Sequence, residues 1–244
     1  MAYTIPHYIV AANVDNPVLR YVWDDTRVDE DFRPPPYRLF QRMAPASLRA
    51  KVVIAIGIYE WIIWRFHKVS SDSVPLKLAE AAWAAAIDHR YLEYVELDRE
   101  EWLGPVRGPL WCAITWLLPM LAFSDDHPEE AESCLSFLPA LALHVLPDDP
   151  AFNRWLDWSV ARLVELYPDV DTDPYADLFQ DREEERRGPL IAREVLDPDV
   201  PYRPEQATPS MAEYLRGVDP SRNEFLRPPQ ALRAAGFEGV PYKL

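Results

Sequence analysis

The balance of proline against glycine limits this chain most: 25 prolines stand beside seven glycines in 244 residues. Glycine turns let a backbone approach a phosphate, and neither GxGxxG nor GxxxxGK[ST] occurs. Proline fixes φ, lacks an N–H and is best tolerated in the first turn of a helix. Its positions here punctuate helices.

Ser47 reads as the N-cap of a proline-free helix over 48–68, with Arg65, His67 and Lys68 in its last turn to complement the dipole. Ser73 and Pro75 open the next, on which Leu76, Ala79, Trp83, Ala86, Ile87 and Tyr91 recur at helical spacing. After a Gly104-Pro105 break, Pro109 is expected to open a third helix reaching residue 122. Asp125-Asp126-His127-Pro128-Glu129-Glu130 is a helix start whose carboxylates sit near the positive dipole end, with the helix running to residue 146. Asp149-Pro150 and Asp173-Pro174 repeat the signal. Pro119 and Pro139 fall inside two helices, where each frees the carbonyl four residues earlier (Thr115, Leu135) and bends its helix, either to follow a round core or to shape a groove between the two.

The pattern predicts an all-α fold, a single bundle or array of about five to seven helices. Residues 1–44 read as an irregular segment with a short strand at Tyr8-Ile-Val, 45–196 as the helical body, and 197–244 as an extended Pro-rich tail wrapped on it, one domain overall. Short helices are expected in that tail at 211–216 and 231–235, with Tyr202, Tyr214, Phe225, Leu232, Phe237 and Tyr242 as anchors.

A hydrophobic share of 49% supports a real core. The apolar runs 52–64 and 109–123 fall short of the roughly 20 residues of a membrane span. Glu60 interrupts the first and Pro119 the second, so both read as buried helices. The N-terminus lacks the basic region and apolar run of a signal peptide. Cys112 and Cys134 have no CxxC partner and read as buried free thiols in a reducing compartment, the cytoplasm.

Charge points to a partner. With 40 Asp+Glu against 25 Lys+Arg, the formal charge of -15 repels nucleic acid and anionic membranes and favours a basic protein. Asp125, Asp126, Glu129, Glu130 and Glu132 crowd into one helix start. Asp169, Asp171, Asp173, Asp177, Asp181, Glu183, Glu184 and Glu185 form a second acidic run. Such runs read as a solvated face or, taken together on one body, as the candidate partner-binding surface; tryptophans at its rim would be the apolar anchors, although most of the nine fall on core-facing spacings.

Chemistry has fewer footholds. Glu60, on a face with Ile56, Ile63, Trp64 and His67, is open to two readings: a desolvated general base, or a carboxylate that meets an arginine or a backbone donor as structural glue. His7, His67, His89, His127 and His144 show no HxxxH or HExxH spacing, so no metal or triad chemistry is expected. Asp169-Val-Asp171-Thr-Asp173 opens like an EF-hand loop, but Pro174 stands where the glycine belongs and Gln180 where the bidentate Glu belongs. No cofactor is expected.

Three features together resemble the all-helical immunity proteins that accompany bacterial polymorphic toxins and type VI secretion effectors. They are Ile58-Tyr-Glu-Trp-Ile-Ile-Trp-Arg-Phe66, the acidic helical body, and the closing Asn223-Glu-Phe-Leu-Arg-Pro-Pro with Ala235-Gly-Phe-Glu-Gly-Val-Pro-Tyr242. The resemblance implies a protein that is no enzyme, carries no catalytic residues, and occludes a cognate toxin stoichiometrically in the producing cell. An acidic helical scaffold or adaptor, and a small-molecule enzyme centred on Glu60, are the alternatives.

Overall fold

The computed structural model describes residues 3–28, 38–147, 150–169 and 187–244. Among them are nine α-helices and no strand. In chain order they are α1 (His7–Ala12), α2 (Arg38–Arg42), α3 (Leu48–Phe66), α4 (Val74–Ile87), α5 (Gly104–Phe123), α6 (Pro128–Val145), α7 (Ala151–Leu166), α8 (Ala207–Gly217) and α9 (Pro229–Ala234).

The all-α array is organised around α3. Every residue of this helix except Leu48 and Lys51 is buried, and α4, α5, α6 and α7 all pack against it. A helix that is apolar on all sides has no face to offer water and is stable only when surrounded. Tyr59, Trp61 and Phe66 disappear into this core, each side chain worth roughly 1.5–3 kcal/mol over its exposed state. The run 52–64 is therefore the middle of the core. Among the described helices α5 alone is long and apolar enough to cross a membrane; 56% of its most apolar 18-residue stretch is buried, and α3, α4 and α6 lie against it.

Burying α3 buries its charges, and neighbours answer them. Arg49 donates through Nε to the Ala86 carbonyl at 2.8 Å, through Nη2 to Ile87 O at 3.2 Å and through Nη1 to Gly188 O. The first two belong to the end of α4, where carbonyls have no intrahelical partner. Arg65 does the same for α6: Nε donates to Val145 O at 3.0 Å, Nη2 to Val18 O at 2.9 Å and Nη1 to Asn16 O. Arg65 thus caps a neighbouring helix, and the exposed Lys68 pairs with Asp15 at 2.8 Å.

Local signals hold in most places and fail in instructive ones. Ser47 Oγ accepts from Ala50 N at 3.3 Å, as an N-cap should. At α4 the cap donor goes elsewhere: Val74 N donates to Asp72 Oδ1 at 3.0 Å. Tyr8-Ile-Val is helical, because the Pro6 carbonyl accepts from both Ile9 N and Val10 N. The Gly104-Pro105 pair opens α5, so Pro109 lies inside it. Pro109 cannot donate to the carbonyl of Pro105, and the Tyr21 hydroxyl donates there in its place. The helices also continue through Pro119 and Pro139. There α5 packs along α6, with Trp116 stacked on Phe137 at 5.0 Å.

Beyond residue 197 the chain is helical over α8 and α9, with α8 longer than the expected 211–216. Tyr202, Phe225, Leu232 and Tyr242 are buried, while Tyr214 and Phe237 are half-buried against the core. Two backbone bonds, Glu93 N to Phe225 O and Arg227 N to Tyr91 O, both 2.8 Å, fasten this segment to the residues after α4.

Gly57 marks a close approach between α3, α7 and the turn before residue 197. A Cβ there would stand 2.7 Å from Leu196 Cδ1 and 2.9 Å from Trp155 Cη2. Gly57→Ala should therefore lower stability by about 1–3 kcal/mol through overpacking, despite alanine's advantage of about 1 kcal/mol in helix propensity. Urea unfolding measures the sign.

Candidate functional site

The acidic residues read from the sequence divide by environment. Asp125 is not part of an outward surface. Its side chain is 7% exposed, and so is that of Arg187, whose Nε donates to Asp125 Oδ1 at 2.7 Å; His89 Nδ1 lies 3.3 Å from Oδ2. Burial opposes ionisation of Asp125, but the His89 imidazole and the Arg187 guanidinium outweigh it and hold the carboxyl below the usual range. A carboxylate at a helix start was expected to face solvent; this one joins α6's entry to the chain after residue 186. Asp126 and Glu129 are exposed, Glu130 and Glu132 half-buried, and Asp169 is exposed beside the end of α7. Asp171, Asp173, Asp177, Asp181, Glu183, Glu184 and Glu185 lie outside the described residues, as does the rest of the EF-hand-like run.

Around the α6 start the carboxylates have aromatic company that the sequence reading missed. Tyr94 and Phe123 are 38% and 42% exposed, with ring centroids 5.2 Å apart. The turn after Phe123 carries Asp126, whose N–H donates to the Phe123 carbonyl at 3.1 Å. Partial burial raises the Tyr94 phenol above its ordinary pKa, and the Glu96 and Glu130 carboxylates add to the effect. Residues 93–98 alternate half-buried and exposed, with Tyr94, Glu96 and Asp98 outward. The exposed aromatic pair thus has Glu96 two residues after Tyr94 and Asp126 in the turn after Phe123, with Glu129 and Glu130 at the following helix start, where His127 Nδ1 lies 3.1 Å from Glu129. Such a pair can dock apolar side chains while its rim selects positive charge.

Glu60 forms a second constellation. It is fully buried. Oε1 accepts from the Tyr3 hydroxyl and from Trp83 Nε1 at 2.9 Å, and Arg193 Nη2 stands 3.0 Å away; Oε2 faces the Tyr8 hydroxyl at 3.4 Å. The donors come from the start of the chain, α1, α4 and the 3₁₀ turn Arg193–Leu196. Burial, then the Glu60 charge, pushes the Tyr3 and Tyr8 phenols well above their ordinary pKa. Burial works against the charge on Arg193, and Glu60 reverses the balance, so the guanidinium is held protonated more firmly than in water. A carboxylate surrounded in this way favours the structural reading over the general base.

Two smaller features complete the inventory. Cys112 and Cys134 are both buried, and burial raises the Cys134 thiol, which stays protonated. Among the described residues His7, Asp197 and Asp199 bring possible metal-ligating atoms within 4.8 Å of one another. His7 and Asp199 are 3.4 Å apart and largely exposed. Residues so far apart in sequence leave no spacing motif to read.

Two predictions test these assignments. Glu60→Ala leaves Arg193, Tyr3 and Trp83 without their acceptor and should cost about 3–5 kcal/mol of stability, measured by urea unfolding. The depressed Asp125 pKa contributes stability that is present above the unfolded carboxyl value of about 3.9 and is lost as pH falls through the lower folded value. The stability deficit of Asp125→Asn relative to wild type should therefore be large at neutral pH and shrink below about pH 4.

No protein-family model, no curated protein and no solved structure matches this chain.

Proposed function

We propose that this chain is an immunity protein: it binds a basic toxin stoichiometrically and blocks it by occlusion, acting in the cytoplasm of the producing cell. The observation that carries the reading is the exposed Tyr94–Phe123 pair, with Glu96, Asp126, Glu129 and Glu130 on the adjoining stretches of chain, in a protein of net charge -15. Exposed aromatics at the centre of a charged rim are the usual anatomy of a protein-binding hot spot. A negative field accelerates encounter with a positive partner and resists mismatched ones, while aromatic packing slows release. The packed α3 core supports the same reading, since a rigid body loses little conformational entropy on binding. Glu60, enclosed by four side chains, lends less support to an enzyme.

The test mixes the purified chain with the product of the adjacent upstream gene. A stable complex, and survival of cells expressing that product, are expected. Phe123→Ala should raise the dissociation rate at least tenfold, about 1.4 kcal/mol. Replacing Asp126, Glu129 and Glu130 by their amides should slow association and flatten its salt dependence. No complex together with no protection rejects the reading; unchanged kinetics in both variants reject this surface.

A further inference from the structure

Tyr3, Trp83 and Arg193 reach Glu60 at one end and line a cavity of about 290 Å³ at the other. The cavity lies between the start of the chain, α4, the turn Arg193–Leu196 and α8. Its size sits at the small end of ligand pockets, nearer to a single side chain than to a cofactor.

The chemistry of the lining selects a ligand class. Three aromatic side chains, Tyr3, Trp83 and Tyr214, contribute to the wall, and Glu80, Glu194 and Glu213 supply negative charge. Glu194 and Glu213 are exposed and so sit towards the mouth. Glu80 is half-buried and accepts from Asn223 Nδ2 at 2.9 Å. Tyr214 is fixed by its hydroxyl, which donates to the Glu80 carbonyl at 2.6 Å. Among the described lining residues Arg193 is the sole cation, and Glu60 behind it offsets its charge. An anion entering here would face three carboxylates. A cation would meet those carboxylates together with aromatic faces. One guanidinium already uses such a face: Arg193 Cζ lies 4.7 Å from the Tyr3 ring centroid, within the range of cation–π attraction. Met211 and Val218 add an apolar strip that suits an alkyl stem.

We propose that this cavity binds an organic cation, a guanidinium or ammonium group on a short alkyl stem. The inference is independent of the Tyr94–Phe123 surface and needs no toxin. Two sources share the chemistry: a free small molecule, or an arginine or lysine side chain presented by a protein.

Isothermal titration of the full chain separates them, with agmatine as the free alkylguanidinium, acetyl-Gly-Arg-Gly-amide as the presented side chain and glutarate as the anionic control. Saturable binding of a cation is expected, with none of glutarate. The double variant Glu194→Gln/Glu213→Gln, altered only at exposed positions, should melt like the wild type and bind about tenfold more weakly, ~1.4 kcal/mol. Affinity in the wild type should also fall as salt rises. Tighter binding of the peptide assigns the site to a protein side chain; tighter binding of agmatine assigns it to a free molecule. The proposal is overturned if neither cation binds saturably, if glutarate binds as well as agmatine, or if affinity is indifferent to both salt and the double variant.

Discussion

A helix enclosed on every side can carry charge only where its neighbours supply the matching groups, and α3 carries three such residues. Arg49 takes the end of α4, Arg65 takes the end of α6, and Glu60 takes Tyr3, Tyr8, Trp83 and Arg193. Each answers an uncompensated feature of another element: helix ends present carbonyls with no internal partner, and Arg193 is a cation that burial would otherwise disfavour. These contacts are directional, whereas apolar burial is not. Hydrophobic area drives α4, α5, α6 and α7 onto α3, and the three charged residues specify where along the axis several of their partners sit.

The division of charge between inside and outside follows from this core. Arg49, Arg65, Arg187 and Arg193 are spent on internal carbonyls and carboxylates. Asp125 goes inward with Arg187, while the nearby Asp126 and Glu129 stay exposed. Tyr94 and Phe123 lie where the chain after α4 meets the end of α5, at the margin of the core, so their rings remain partly in water. The proposed binding surface and the cation cavity are both products of the same packing: one is its rim, the other the gap behind the Glu60 knot.

Much of the fold was legible because proline and capping residues act locally. Ser47, Pro75, Pro128 and Pro150 mark the starts of α3, α4, α6 and α7 through backbone geometry that needs no tertiary partner. Pro109 was misread because its compensation is remote: Tyr21, 84 residues before the Pro105 carbonyl it reaches, replaces the missing donor. Tyr8-Ile-Val reads as a strand on composition, yet Pro6 and the Trp61–Trp155 surface favour a helical turn that buries Tyr8 and Ile9. The candidate site was less legible for the same reason. Glu60 stood out as a charge in an apolar run, but its partners come from four separated segments. Asp125 and Asp126 are adjacent in sequence and differ only in which side of a turn they occupy. The alternation of residues 93–98 was the one local signal for Tyr94.

The proposed recognition, at the surface of a preformed body, leaves a signature in hydrogen exchange. Amide exchange should be followed in the chain alone and in its complex with the product of the adjacent upstream gene. New protection is expected in residues 93–98 and 123–130, with the already slow amides of α3 unchanged. Protection gained in α3, or none at residues 93–98 and 123–130, would contradict it.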